Sequence, residues 1–248
     1  GVQTCALPIS GLAMAAFGIG AGDTTTTALG GARYGLLLLG APILAAILKY
    51  TLNEGLARWQ LATGETILEG WALRMGPLVR YGFLLYFLGW CIPAFGTLIT
   101  TSGLTSDLVL PLAGRWPALE APIFSGGPRQ ATVIWSAVCL IGCVALVWFG
   151  KYALFEQVMS LMAVVMVLIT IASAALLFPA QDRFALPGAG GLPAGALTLG
   201  LAVLGGMGPT VGVLAYSYWM RERGREGRAF LNLTRIDLGN SYFVTALF

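Results

Sequence analysis

The chain has 248 residues, 57% hydrophobic and 10% charged, with a mean hydropathy of +0.81, a net charge of +3 and no histidine. This composition excludes a disordered chain and an ordinary water-soluble domain, and so small a net charge gives no basis for nucleic-acid binding. Four cysteines without paired spacing exclude a disulfide scaffold or a cysteine metal cluster.

A bilayer core of roughly 30 Å takes about 20 apolar residues per helix. Tyr81–Ser106, Gln130–Gly150, Gln157–Gln181 and Phe184–Met220 contain no Asp, Glu, Lys or Arg. With a broken segment near the start and the segment Leu36–Ala57, they predict six membrane spans. Leu238–Phe248, apolar apart from an Asn-Ser-Tyr interruption, reads as part of a seventh.

In chain order, Gly1–Ile9, GVQTCALPI, matches the in-frame translation of a sequencing adapter and is expected to be an artefact. The first span runs as one half around Leu12–Ile19 and another from Thr24 to about Gly31, hinged at Gly20, Ala21 and Gly22. Asp23 stands at this break, before four threonines. An acid inside such a segment marks a functional site by default, because burying its charge costs several kcal/mol unless a partner or ion offsets it. As a cap, Asp23 would close the second half-helix. As an ion ligand it would act with backbone carbonyls of Gly20–Gly22 and a hydroxyl such as that of Thr24.

The second span runs from Leu36 to about Trp59, with Lys49 and Glu54 near its inner end, and residues 65–80 form a polar connection. The third, 81–106, carries Pro93, where a kink is expected. A Pro/Gly-rich loop, 111–130, leads to spans four (131–148) and five (154–177), and a second loop covers 178–193. Cys139 and Cys143 share a face of the fourth span as packing residues. Glu54 and Glu156, near span ends, are expected in ion pairs.

The sixth span, 195–220, is interrupted by Gly205, Gly206, Gly208, Pro209 and Gly212. Each interior Gly costs about 1 kcal/mol and a Pro about 3 relative to Ala, and in a bilayer such a break survives only where it is buried in protein or lines a cavity. Breaks in spans one and six, five helices apart, point to an inverted-repeat transporter with its substrate near the midplane. The first repeat would cover residues 10–178, and the second would begin at 179. Lys and Arg fall ten inside against four outside when the N-terminus is cytoplasmic. On that reading the cluster RERGREGR, 221–228, is a topology anchor.

The stretches GAGDTTTTALGGARYG and GLARWQLATGETILEG resemble the start of the natural resistance-associated macrophage protein (Nramp) family of divalent metal transporters. The resemblance implies an all-α, polytopic, LeuT-like inverted-repeat fold with six to seven helices present, in a prokaryotic plasma membrane. It implies a divalent cation as transported substrate, no resident cofactor and no enzymatic activity. The family's Asp-Pro-Gly-Asn motif falls on Gly20, Ala21, Gly22 and Asp23, so one carboxylate remains, displaced by about a helical turn. Its Ala-Thr-Val-Met-Pro-His motif falls on Pro209, Thr210, Val211, Gly212, Val213 and Leu214, without the methionine or the histidine. Asp23, Gly20 and Pro209 are the expected metal contacts, with Ala21, Gly22, Thr24, Thr210 and Gly212 around them. Loss of the thioether implies a preference for hard ions such as Mg²⁺ or Mn²⁺. Phe95 and Leu98 stand where the family places third-span acids, so proton coupling in the family's manner is not expected. An organic-solute transporter of the same fold is the alternative; a membrane enzyme or sensor finds no supporting motif.

Overall fold

Helices account for 86% of the described residues of the computed structural model, which are 9–112, 114–177, 193–206 and 210–247, and no strand occurs among them. The helices are α1 (Ile9–Gly18), α2 (Ala21–Tyr34), α3 (Gly40–Thr63), α4 (Ile67–Arg74), α5 (Gly76–Val109), α6 (Gln130–Leu177), α7 (Ala196–Gly206), α8 (Thr210–Glu222) and α9 (Leu231–Leu247). Five stretches are long and apolar enough to cross a bilayer: Asp23–Thr63, Gly76–Val109, Gln130–Gly150, Leu154–Leu176 and Ala196–Glu222. The protein is therefore a polytopic all-α chain, with five such stretches where six spans were expected.

The difference lies in Asp23–Thr63, which at 41 residues joins two predicted segments. It is not one rod. Gly35 has φ of 55° and is followed by a short 3₁₀ turn, Gly35–Leu39. A methyl built on Gly30 would lie 3.0 Å from the Leu38 side chain, although eight residues of continuous helix would separate them by about 12 Å. The chain thus doubles back, and Pro42 of α3 returns beside Thr27 of α2. The glycine supplies a conformation that a side chain would strain.

Other boundaries follow from local chemistry. Gly64 ends α3 in the left-handed region at φ 75°, its amide donating to Gln60 O at 2.7 Å. The expected polar connection 65–80 contains α4 and the start of α5. Thr66 and Glu69 form a reciprocal capping box: the Thr66 amide donates to Glu69 Oε2 at 2.8 Å and the Glu69 amide to Thr66 Oγ1 at 3.4 Å. Helix α5 continues through Pro93, and the Thr97 hydroxyl donates to the carbonyls of Pro93 and Ala94, both at 2.9 Å. Spans four and five, predicted as separate, are one unbroken 48-residue helix. Past Gly150 the sequence KYALFEQ holds neither Gly nor Pro, so its charges do not interrupt the backbone ladder.

The chain divides into two compact units, residues 71–155 and residues 1–70 with 156–248. In the first, α5 meets the start of α6 at Gly103, where a methyl would strike Ser136 and the Thr132 carbonyl. Ser136 Oγ donates to Thr132 O at 2.8 Å and Ile99 O at 3.0 Å. In the other unit, α9 packs on α1 and α3, while α7 packs on α2 and α3. Its core comprises Met14, Ala45, Ala46, Ala57, Tyr216, Met220, Leu238 and Tyr242. Large apolar side chains point outward: Leu78 is 85% and Phe149 81% exposed. Small and polar residues inside with large apolar ones outside are the arrangement that suits lipid.

One end of this unit is tied by ion pairs. Glu54 accepts from Arg58 at 2.5 Å and from Arg235 at 2.8 Å, Arg225 bonds Asp237 at 2.8 Å, and Arg223 pairs with Glu156 and Arg221 with Glu69. Arg221, Arg223 and Arg225 of the basic cluster are thus each committed to an acid, and Glu54 and Glu156 are paired as expected.

The hydrogen bond from Arg221, aided by the Thr66 amide, holds the exposed Glu69 carboxyl down at about 2 from an ordinary 4.5. A depressed folded-state value means that the pair's contribution is fully present above pH 4.5 and is lost as pH falls through about 2. Carbonyl-labelled NMR should find the Glu69 midpoint near 2, climbing back toward 4.5 in Arg221→Gln.

Candidate functional site

The first break is narrower than the sequence implies. Helix α1 ends at Gly18 and α2 starts at Ala21, so only Ile19 and Gly20 interrupt the ladder. The expected hinge residues Ala21 and Gly22 are already in the first turn of α2. Gly20 is the N-cap in extended conformation (φ −90°, ψ 157°), and Asp23 sits three residues into the helix. Asp23 therefore does not cap from the N-cap position but reaches back, its Oδ2 accepting the Gly20 amide at 3.1 Å. A carboxylate in the first turn also suits the positive end of the helix dipole.

The Gly20 carbonyl, expected to face an ion, is occupied by the helix. It accepts the amides of Asp23 and Thr24, each at 3.1 Å, and the Thr24 hydroxyl at 3.4 Å. Gly18 and Ile19 line a cavity of about 20 Å³, together with Asp23, Thr24, Thr27, Pro42, Val203 and Thr245. Thr27 Oγ1 donates to Asp23 O at 2.7 Å. Because the Thr24 and Thr27 hydroxyls spend their protons on α2 itself, their oxygens retain lone pairs.

Helix α7 approaches the first break through a glycine: a methyl built on Gly206 would fall on Asp23 Oδ1. Residues 207–209, where the second break is expected, lie outside the described residues. The carboxylate is thus held between the Gly20 amide on one side and the end of α7 on the other. Pro209 lies outside the described residues, and Thr210 is the first residue of α8. Gly212 lies apart from the cavity: a methyl there would lie 2.7 Å from the Phe17 ring and 3.7 Å from Met14 Cε. Its register faces α1, because α8 turns it toward the core that Met14 anchors.

Sequence reasoning missed Gly206, Pro42 and Thr245. Gly206 was one glycine in a run, and nothing in the sequence marked which one the carboxylate would touch. Thr245 had a signal, since it follows Ser241 by four residues in an otherwise apolar segment. In the other unit, α5 extends past the predicted bound of Ser106 and includes Asp107, which is buried with one carboxyl oxygen unpartnered. The third helix thus carries an acid just beyond the span that was read as having none. Among the described residues, no three His, Cys, Asp or Glu side chains converge on one point. No protein-family profile, curated protein or solved structure matches the chain.

Gly206→Ala should push the Asp23 carboxylate out of its seat and destabilise the fold by about 1–3 kcal/mol, as overpacking typically does. Gly205→Ala, whose methyl meets nothing within 4 Å, should be as stable as the unaltered protein. Thermal unfolding of the two purified variants checks the contrast.

Proposed function

We propose that the protein carries divalent metal cations across a membrane by alternating access around Asp23, as a divergent transporter of the Nramp kind. The observation that carries this reading is the seating of one carboxylate at the break between α1 and α2, against Gly206 of α7 and beside a cavity of about 20 Å³. A space of this size takes one water or one bare ion. An amino-acid-like solute would need a far larger site, and Asp23 would repel its carboxylate, which weighs against the organic-solute alternative. The side-chain donors around the cavity are the Asp23 carboxylate and the hydroxyls of Thr24, Thr27 and Thr245. An all-oxygen set favours Mg²⁺, Mn²⁺ or Ca²⁺ over soft metals.

The placement in a prokaryotic plasma membrane with the N-terminus inside rests on the ten-to-four bias of basic residues. The reading assigns no chemistry to the protein beyond binding and release, and no resident cofactor.

Asp23→Asn keeps an oxygen to accept the Gly20 amide while deleting the charge, so the helix end should hold while the ion site is lost. Uptake of Mn²⁺ into proteoliposomes should fall at least about tenfold at equal protein content, as expected when a buried charged partner is removed. Uptake equal to that of the unaltered protein would sink the ion-ligand assignment, and preferential uptake of Cd²⁺ over Mn²⁺ would refute the oxygen site.

A further inference from the structure

Helix α9 turns a polar face inward. Thr234, Asp237, Ser241 and Thr245 recur at spacings of three and four, so they share one stripe, and each is at most 4% exposed. The stripe begins at the end of the unit where the ion pairs lie. There Asp237 accepts from Arg225 at 2.8 Å and from the Tyr216 hydroxyl at 3.4 Å. It finishes at Thr245, which lines the cavity beside Asp23. Eight residues of helix separate these points, a rise of about 12 Å.

Buried hydroxyls in apolar helices normally turn back onto a carbonyl four residues earlier, as Thr245 does onto Ser241 O at 2.9 Å. Thr234 and Ser241 do not. Their hydroxyls are fully buried and have no hydrogen-bond partner. Ser241 lies between the Asp237 carboxylate and the cation-sized cavity at Thr245, and Thr234 lies one turn beyond Asp237; unmet polar groups along such a line call for an occupant that passes rather than stays.

We infer that the polar face of α9 is the passage between the Asp23 cavity and the arginine-bearing end of the protein, and that the Arg225–Asp237 pair closes it. The inference rests on the cation-transport reading for the identity of the occupant, a hydrated or partly hydrated divalent cation. In the closed state Arg225 supplies the positive charge beside Asp237. When the pair parts, Asp237 becomes the second carboxylate the cation meets, with the Ser241 and Thr245 oxygens as stepping points.

The test uses the full chain with its four cysteines replaced by alanine and Ser241→Cys introduced. A membrane-impermeant cationic methanethiosulfonate is applied to oriented vesicles from each side. Labelling should come only from the arginine-bearing side, and should quicken at least about tenfold in Arg225→Gln, the change expected when a closed state that dominates by that factor is released. The exchanged pair Arg225→Asp with Asp237→Arg should slow it again, which a loss of packing alone would not do. Tyr216→Phe, which removes the second donor to Asp237 without stranding a charge, gives the same readout if Arg225→Gln does not insert. Labelled protein should no longer take up Mn²⁺. Labelling that quickens in neither variant, or labelled protein that transports Mn²⁺ undiminished, overturns the passage. Labelling does not depend on Asp23, so a failed passage with intact Mn²⁺ binding leaves the transport reading standing, and lost Mn²⁺ dependence with intact labelling does the reverse.

Discussion

The hydrogen bond from the Gly20 amide to the Asp23 carboxylate is the contact on which the site depends. A helix interrupted within lipid leaves backbone groups that water cannot reach, and each must find a partner in the protein. Asp23 supplies one from three residues away, without needing another element. Having met that demand with Oδ2, it leaves Oδ1 directed at Gly206. The end of α7 can approach only because Gly206 has no side chain, and Val203 one turn earlier then closes the cavity wall. The carboxylate therefore completes a broken helix and meets α7 at Gly206 with the same group.

Around that contact the packing runs opposite to that of a water-soluble protein. Ala45, Ala46 and Ala57 are buried, whereas the large aliphatic and aromatic side chains of α5 and α6 lie outside. With lipid as solvent, burying apolar area brings helices little gain, so close approach and polar contacts must hold them. The link between α3 and α8 shows how. Gln60 Nε2 donates to Ser217 O at 2.8 Å, and the Ser217 hydroxyl returns a bond to Gln60 Oε1. At the arginine-bearing end the acids of α3, α4, α6 and α9 each meet an arginine. Arg225–Asp237 is the most buried of them; a buried pair adds little net stability, because desolvation offsets its attraction, but it penalises any register in which one partner is left alone. Such pairs fix which helix ends belong together.

Much of this was legible in the sequence, and the exceptions have physical causes. Glycines at 18, 20 and 22 around an acid announce a break, and apolar runs announce spans, because both are local properties. The width of the break was not legible: whether Ala21 and Gly22 join the helix depends on Asp23 folding back onto Gly20, a choice between two local hydrogen-bond patterns. Spans four and five were legible as two apolar stretches, Gln130–Gly150 and Leu154–Leu176; the helical connection between them was not, since charge near residues 151–156 marks a change of solvent but does not break a backbone. Gly212 was misplaced because a resemblance transfers position along the chain and not the face of the helix. The stripe on α9 escaped notice because Thr234, Asp237, Ser241 and Thr245 become a pattern only once that face is known to be buried.

Under the proposed cation-transport function, a single carboxylate is a weak holder for a divalent ion, and for a carrier that would be an asset. Such an ion gives up a large hydration energy on entering a site, and a cage of several acids would return so much of it that release would become the slow step. Here the remaining stabilisation must come from dipoles: the oxygens of Thr24, Thr27 and Thr245. Dipoles can be withdrawn by a small movement of the helix that bears them, whereas a charge at the same place acts over a longer range. Thr24 and Thr27 share α2 with Asp23, whereas Thr245 sits on α9. On the proposed transport function, a shift of α9 relative to α2 withdraws one oxygen while the carboxylate and its two threonine neighbours move as one body.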